Sequence, residues 1–339
     1  MWLDSRERIH APEITGEWVN SPPLTARELR GRVTLVDFWD YTCVNCLRTL
    51  PYLREWHRRY ASLGLAVIGV HAPEFQFARD RANVERAMRS QGLEYTVVLD
   101  NEYRTWRAFA NRCWPAKHLV DARGYVRYVH FGEGQYGETE EGIRLLLAEA
   151  GVTAPAEPLV EPVRPSDRPD ARCLPATTEL YLGYARGLLG NGSGYVEEQV
   201  QDYAASDPRL PDVAYLEGPW FAGRELVAAC PLLGRVSRLR LRYTAAEVNL
   251  VMAPPDPAGL PVEGRATVIV RQDGQPLPPE DRGEDVMALG DETVIDVCEP
   301  RMYSLARNRE AGPSELEIWT RKPGLEVYAF TFVPCVEGA

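Results

Sequence analysis

The stretch Val33-Thr34-Leu35-Val36-Asp37-Phe38-Trp39-Asp40-Tyr41-Thr42-Cys43-Val44-Asn45-Cys46 decides the fold. Its first seven residues read as an apolar strand, and beyond Cys46 the chain carries Leu47, Leu50 and Leu53 at helical spacing. A CxxC motif therefore sits where a strand hands over to a helix. The first turn of a helix leaves backbone N–H groups without partners, so negative charge on Cys43 is stabilised there. A free thiol titrates near about 8.5, and such a setting commonly brings it to between about 3.5 and 7.5, which makes Cys43 a nucleophile at neutral pH. Cys46, three residues on, faces the mixed disulfide that Cys43 forms and can displace the partner, closing Cys43–Cys46. The competing reading of a CxxC is half of a zinc site. Zinc in a closed structural site takes four protein ligands, and the chain has no second CxxC and no HxxxH, so no metal is expected.

The residues around the motif resemble the thioredoxin superfamily: Val36-Asp37-Phe38-Trp39 ahead of the cysteines, and Pro51 eight residues after Cys43. The resemblance implies an α/β thioredoxin-like domain in which Asp37 assists proton removal from the resolving thiol and Pro51 kinks the helix. A strand-edge surface position is the plain alternative for Asp37. Its apolar neighbours argue for burial, where a carboxyl rises toward the range useful to a base. The catalytic set is thus Cys43, Cys46 and Asp37.

Trp114-Pro115-Ala116-Lys117-His118-Leu119-Val120-Asp121 leads into a turn, Asp121-Ala122-Arg123-Gly124. By resemblance Pro115 is a cis-proline facing the cysteines, and the Trp114 backbone is offered to an extended substrate. An ordinary strand-entry proline is the alternative. Trp114, Pro115, Trp39 and Thr42 make up the expected substrate-binding set. Glu74, Cys113 and Lys117 are expected modulators. Glu74 and His71 follow the apolar strand Leu65-Ala66-Val67-Ile68-Gly69-Val70, and strand ends in α/β sheets line ligand crevices. Each has a plainer reading: His71 and Glu74 as caps of the next segment, Cys113 as a small buried apolar residue, Lys117 as a solvated charge.

The stretch from Cys46 to Pro115 is longer than in plain thioredoxins, with an additional helix predicted around Arg81 to Ser90 and a strand over Tyr95-Thr96-Val97-Val98-Leu99. That pattern is similar to the TlpA and ResA branch. Phe38-Trp39, Tyr41-Thr42-Cys43, Leu47-Arg48-Thr49-Leu50-Pro51-Tyr52-Leu53, Gly69-Val70-His71-Ala72-Pro73-Glu74-Phe75 and Trp114-Pro115-Ala116-Lys117 resemble, more closely, the soluble C-terminal region of DipZ-type proteins of cytochrome c biogenesis. The resemblance implies a thiol-disulfide oxidoreductase acting on disulfide-containing protein substrates. It also implies a thiol electron donor, such as a membrane CcdA-like protein, and no cofactor besides the Cys43–Cys46 disulfide. Thr42 stands where thioredoxin has tryptophan, and Val44-Asn45 replaces Gly-Pro. Such residues tune the potential, about 30 mV for each ~1.4 kcal/mol, so the reducing direction rests on the resemblance alone. The runner-up is a thiol peroxidase of the redoxin type, although Asp40-Tyr41-Thr42-Cys43 lacks the proline that motif places before its cysteine, and a third reading is a glycan- or protein-binding protein whose redox site is accessory.

With 339 residues, 45% hydrophobic and 26% charged, the chain suffices for two domains with cores. A net charge of −11 disfavours nucleic acid or an anionic membrane surface as the principal partner. No apolar run approaches the ~20 residues that span a bilayer. The N-terminus lacks the apolar core of a secretion signal, which points to the cytoplasm if the chain as given is native, whereas the resemblance points to an extracytoplasmic space.

A domain boundary is expected in residues 151–176, where Pro155, Pro158, Pro162, Pro165, Pro169 and Pro175 read as a stiff linker. The redox domain is then 1–150, closed by a helix from Glu140 to Ala150, and a β-sandwich domain spans 177–339. Eight β-rich runs lie there: Arg224 to Ala229, Val236 to Tyr243, Glu247 to Met252, Ala266 to Arg271, Thr293 to Val297, Met302 to Leu305, Leu316 to Thr320 and Glu326 to Val333. Such spacing without helices predicts an all-β antiparallel sandwich, and a jelly roll is the version expected. Tyr181-Leu182-Gly183-Tyr184, Pro300-Arg301-Met302-Tyr303 and Tyr328-Ala329-Phe330-Thr331-Phe332 extend the DipZ-type resemblance, which implies a carbohydrate-binding-module-like fold without demonstrating sugar binding. Trp220, Phe221, Tyr181, Tyr184, Tyr195, Tyr203 and Tyr215 are read mainly as core, with a platform for a glycan or partner as the alternative. Cys113, Cys173, Cys230, Cys298 and Cys335 form an odd set without compact spacing. The last four are expected to be reduced and structural, with Cys298 and Cys335 able to pair only if their strands adjoin.

Overall fold

A computed structural model describes the chain apart from residues 5–7, 154–156, 169, 172, 174, 205–209, 232–234, 256–263 and 336–339. By its internal contacts the chain divides into two units, Met1–Pro169 and Asp170–Ala339.

In the first unit the elements run β1 (Glu17–Trp18), α1 (Ala26–Leu29), β2 (Val33–Trp39), α2 (Val44–Tyr60), β3 (Leu65–His71), α3 (Arg81–Ser90), β4 (Thr96–Leu99), α4 (Arg104–Ala108), β5 (Ala116–Val120), β6 (Val126–Phe131) and α5 (Tyr136–Glu149). All seven residues of β2 are buried, the signature of a strand covered on both faces. The crossovers through α2 and α3 let β2, β3 and β4 run parallel. On the other side of β2, β5 runs antiparallel to it and β6 antiparallel to β5, giving the order β1-β4-β3-β2-β5-β6. Alternation along β2 sorts its side chains. Val36 and Phe38 join Ile68, Val70 and Phe109 on one face, while Leu35 and Trp39 join Leu50, Leu53 and Trp56 of α2 on the other. Burying Leu50, Leu53 and Trp56 stabilises the docking of α2 by about 1.5–3 kcal/mol each, an upper figure for area removed from water. Asp37 falls between Leu35 and Trp39 and so projects beneath the helix that carries the cysteines.

The proline-rich stretch is where structure and expectation differ. Residues 157–167 are bound to the first unit: Arg144 and Arg59 donate to the carbonyls of Glu157 and Pro158, each at 2.8 Å, and the Val160 N–H donates to Glu140 at 2.7 Å. Further on, the Val163 N–H donates to the Tyr52 hydroxyl, which itself donates to Asp167, both at 2.7 Å, and Arg48 donates to Ser166 at 2.7 Å. The first unit therefore extends well past the expected end at 150. These ties are side chain to backbone or side chain to side chain, and leave no periodic trace in a sequence. Pro155 and Pro169 lie outside the described residues.

The second unit is all-β. Its strands are β7 (Leu180–Tyr181), β8 (Val200–Tyr203), β9 (Ala214–Ala222), β10 (Val227–Ala229), β11 (Ser237–Ala253), β12 (Ala266–Gln272), β13 (Gln275–Pro276), β14 (Met287–Leu289), β15 (Glu292–Val297), β16 (Arg301–Thr320) and β17 (Glu326–Val333). Neighbouring strands pair antiparallel along the path β14-β15-β12-β16-β11-β17-β10-β9-β8, as one continuous hydrogen-bonded sheet around a single core. The runs predicted separately as Val236–Tyr243 and Glu247–Met252 are one strand, β11, and those at Met302–Leu305 and Leu316–Thr320 are one strand, β16. Register shifts at Ala245/Glu247 and Val248/Asn249 mark the bulges by which this long pair keeps its ladder while bending. Tyr203, Tyr215 and Trp220 are buried, and the Trp220 indole donates to the carbonyls of Glu217 and Arg238. Tyr181, Tyr184, Tyr195 and Phe221 are half-buried.

The cysteines correct one expectation. Cys173 and Cys335 form a disulfide with Cα atoms 4.8 Å apart, closing the two ends of the β unit, whereas Cys230 and Cys298 are free. Cys335 lies beyond β17 and its partner precedes β7, so the pairing is set by where the sheet brings its ends, which spacing does not carry.

Candidate active site

Cys43 caps α2. It is extended, at φ −86° and ψ 114°, and its sulfur accepts the Cys46 backbone N–H at 3.2 Å. One of the donors that a helix start leaves open is thus aimed at the atom that carries charge in a thiolate. No acidic side chain occupies the first turn of α2 to oppose it. Cys43 is half-buried and Cys46 is 1% exposed, so the sulfur that can meet another molecule is Cys43. Burial, a hydrogen bond with the Cys43 sulfur and the charge of Cys43 push the Cys46 thiol well above its ordinary range, against a hydrogen bond from the Asp40 backbone. Cys46 needs a base to lose its proton.

Asp37 is fully buried beneath the pair, and neither carboxyl oxygen has a hydrogen-bond partner among the described residues. Burial pushes its pKa up to about 7, against the pull of Lys117. Lys117 is directly opposite on β5, and residues opposite one another in an antiparallel pair project to the same face. The structure therefore corrects the solvated reading of Lys117. It is fully buried, its ammonium donates to the Gly132 carbonyl at 3.3 Å and stands 5.5 Å from the centre of the Tyr136 ring. Burial lowers its pKa, while Asp37, Cys46, Glu133 and Cys113 pull it back up. Arg48 of α2 pairs with Glu133 at 3.0 Å on the outer side of this group.

The Trp114–Pro115 peptide is cis. Trp114 is half-buried, its indole donates to the Ala72 carbonyl at 3.1 Å, and its ring lies 4.5 Å from that of Trp106. Pro115 is buried. Cys113 is half-buried with its sulfur 3.9 Å from the Pro115 carbonyl, and burial raises its thiol pKa. Trp39 and Thr42, expected to face substrate, are instead buried, at 0% and 1% exposure. Trp39 projects inward with Asp37, and Thr42 is drawn inward by Asp40, whose Oδ1 accepts both its N–H and its hydroxyl at 2.6 Å. They form the floor of the site. Glu74 is half-buried, with its N–H on Asp40 Oδ2 at 2.7 Å. His71 is enclosed by Trp39 and Tyr41, and burial takes its pKa to about 3, so it is neutral near pH 7. Asp40 is the residue the sequence reading missed. A polar residue immediately after an otherwise buried strand was the available signal.

The AhpC/TSA family matches residues 9–129, and the family described as thioredoxin like C-terminal domain matches residues 177–332. Protein DipZ of Mycobacterium bovis and that of Mycobacterium tuberculosis are each 33% identical over 333 residues, covering 95% of this chain and 42% of DipZ. The chain thus spans about two-fifths of the length of those relatives. The thiol-disulfide oxidoreductase YkuV of Bacillus subtilis is 26% identical over 140 residues, 41% of this chain and 94% of YkuV. The thiol-disulfide oxidoreductase ResA of Halalkalibacterium halodurans is 28% identical over 124 residues, 37% of this chain and 68% of ResA. With its cysteine pair at the start of α2, this chain carries a thioredoxin-like redoxin domain, followed by an all-β domain that matches the family described as thioredoxin like C-terminal domain, and is a homologue of DipZ.

Proposed function

We propose that the chain is a thiol-disulfide oxidoreductase that reduces disulfides in partner proteins. The observation that carries this is the pairing of a half-buried Cys43, held at a helix start, with a buried Cys46 and, behind it, a buried carboxyl group without a hydrogen-bond partner among the described residues. The Cys43 thiolate attacks one sulfur of the partner disulfide, forming a mixed disulfide and releasing the other sulfur as thiolate. Cys46 passes its proton to Asp37 and attacks the Cys43 sulfur, releasing the second partner thiolate and closing Cys43–Cys46. Two electrons leave the dithiol and two reach the partner. Lys117 offsets the charge that Asp37 carries before it accepts the proton, and the Trp114 backbone beside cis-Pro115 pairs with the extended substrate. A thiol donor, by resemblance a membrane CcdA-like protein, restores the dithiol, and no bound cofactor enters the cycle.

In this reading the second unit is a jelly-roll, carbohydrate-binding-module-like domain that recognises a glycan or protein partner. An extracytoplasmic location is supported by Cys173–Cys335, since such bonds persist in oxidising compartments. The AhpC/TSA match favours one second reading, a thiol peroxidase in which Cys43 passes through a sulfenate.

Reduction of insulin by the wild type and by Cys43→Ser tests the proposal. Turnover in the wild type and a loss of at least about 10³-fold in the variant are expected. Cys46→Ser should hold partners on Cys43 as mixed disulfides. Equal insulin reduction by wild type and Cys43→Ser overturns the proposal, and peroxide consumption with sulfenate trapped at Cys43 moves the assignment to the peroxidase.

A further inference from the structure

We propose that Asp40 is the positioning residue that holds the walls of the redox site's mouth in register, an inference that rests on the oxidoreductase reading above. Asp40 follows the last residue of β2 and is fully buried. Its backbone carbonyl accepts the Cys43 N–H at 3.3 Å. Its side chain then joins two loops that are not adjacent in sequence. Oδ1 accepts the Thr42 N–H and hydroxyl, which fixes the residue immediately before the nucleophile. Oδ2 accepts the Glu74 N–H, in the segment that follows β3, and lies 3.8 Å from Nε2 of the neutral His71.

That second segment carries the third wall. The Ala72 carbonyl accepts the Trp114 indole N–H, and the Pro73 carbonyl accepts the Tyr103 hydroxyl, so the residue before cis-Pro115 is docked on the stretch that Asp40 anchors. The chain of contacts runs from Cys43 and Thr42 through one carboxylate to Glu74 and Ala72, and from there to Trp114. Attack on a protein disulfide requires the sulfur and the substrate-pairing backbone to be placed together, because a bound geometry slightly off line loses rate steeply. A small disulfide needs the sulfur alone. Asp40 therefore matters to the extent that the substrate is a folded or extended polypeptide.

Asp40→Asn separates these roles. The amide keeps an acceptor for Thr42 but presents N–H against the Glu74 N–H, breaking the tie between the two loops without changing side-chain size. With insulin as substrate, kcat/KM is expected to fall about tenfold or more, chiefly through KM. With dithiobis-nitrobenzoate the rate should stay within about threefold. In the ¹H–¹⁵N spectrum the Trp114 indole resonance should move and its N–H exchange faster. An equal loss on both disulfides, or no change on either with an unmoved Trp114 indole, overturns the proposal. Failure of the wild type to reduce either disulfide counts against the oxidoreductase reading, and the Trp114 resonance still decides the role of Asp40. Should Asp40→Asn not fold, Asp40→Ser, whose side chain is too short to bridge Thr42 and Glu74, carries the same comparison, and an unchanged insulin-to-small-disulfide ratio in it is overturning.

Discussion

Two pairs of cysteines in this chain have opposite settings. Cys43 and Cys46 are three residues apart on one helical turn, one sulfur half-buried, with a buried carboxyl raised to about 7 beneath them. Cys173 and Cys335 are 162 residues apart and fasten the ends of an all-β unit. Bridging the first pair constrains little chain, so its formation is governed by the thiols and their proton acceptor. Bridging the second removes much of the unfolded chain's freedom, so its formation is governed by the fold. The same bond exchanges in one place and fastens in the other because of its surroundings.

The largest effect that would sharpen this contrast is on stability. Cys173→Ser should lower the unfolding free energy of the second unit by about 2–5 kcal/mol, seen in denaturant titrations, while insulin reduction stays unchanged. A loss of turnover without a loss of stability would erase the distinction.

The next effect concerns Asp37. Its folded pKa, about 7, lies above the ordinary 3.8, so the folded state holds this proton more tightly than the unfolded chain does. The stabilisation is fully present below about pH 4 and is lost as pH rises through about 7. Asp37→Asn should therefore be more stable than the wild type at pH 9, by about 2–4 kcal/mol, with no advantage at pH 3. It should also resolve mixed disulfides about 10²-fold more slowly at pH 8, measured by quench and alkylation.

The smallest effect is on the pH profile. Lys117→Met removes the charge that pulls the Asp37 carboxyl down, so the midpoint of the resolution rate should move to higher pH. A midpoint that moves to lower pH would show that Lys117 does not act on Asp37.

How much of this could be read in advance depended on how far apart the interacting residues lie in the chain. β2 and α3 appear at the bounds read from the sequence, the first as an unbroken apolar run and the second as a helix whose N-cap, Asp80, accepts from Ala82. Asp37, Cys43 and Cys46 share one strand-to-helix corner, and their closeness follows from local geometry. The burial of Lys117 does not, because it depends on the β2–β5 register across 80 residues. The reach of Asp40 to Glu74 likewise depends on where β3 ends. In the second unit, β11 and β16 read as broken because Thr244-Ala245-Ala246 and the polar middle of β16 interrupt the apolar alternation, where bulges instead keep the pairing going.

Binding of residues 157–167 across α2 and α5 changes where this molecule can be cut. Arg48 and Tyr52 stand on the same helix as the two sulfurs and take Ser166 and Asp167 as partners. A fragment stopped at residue 150 would leave a buried guanidinium and a phenol on the cysteine helix without those oxygens, whereas one stopped beyond Asp167 keeps them. The shortest self-sufficient redox piece is therefore defined by its trailing segment as much as by its sheet.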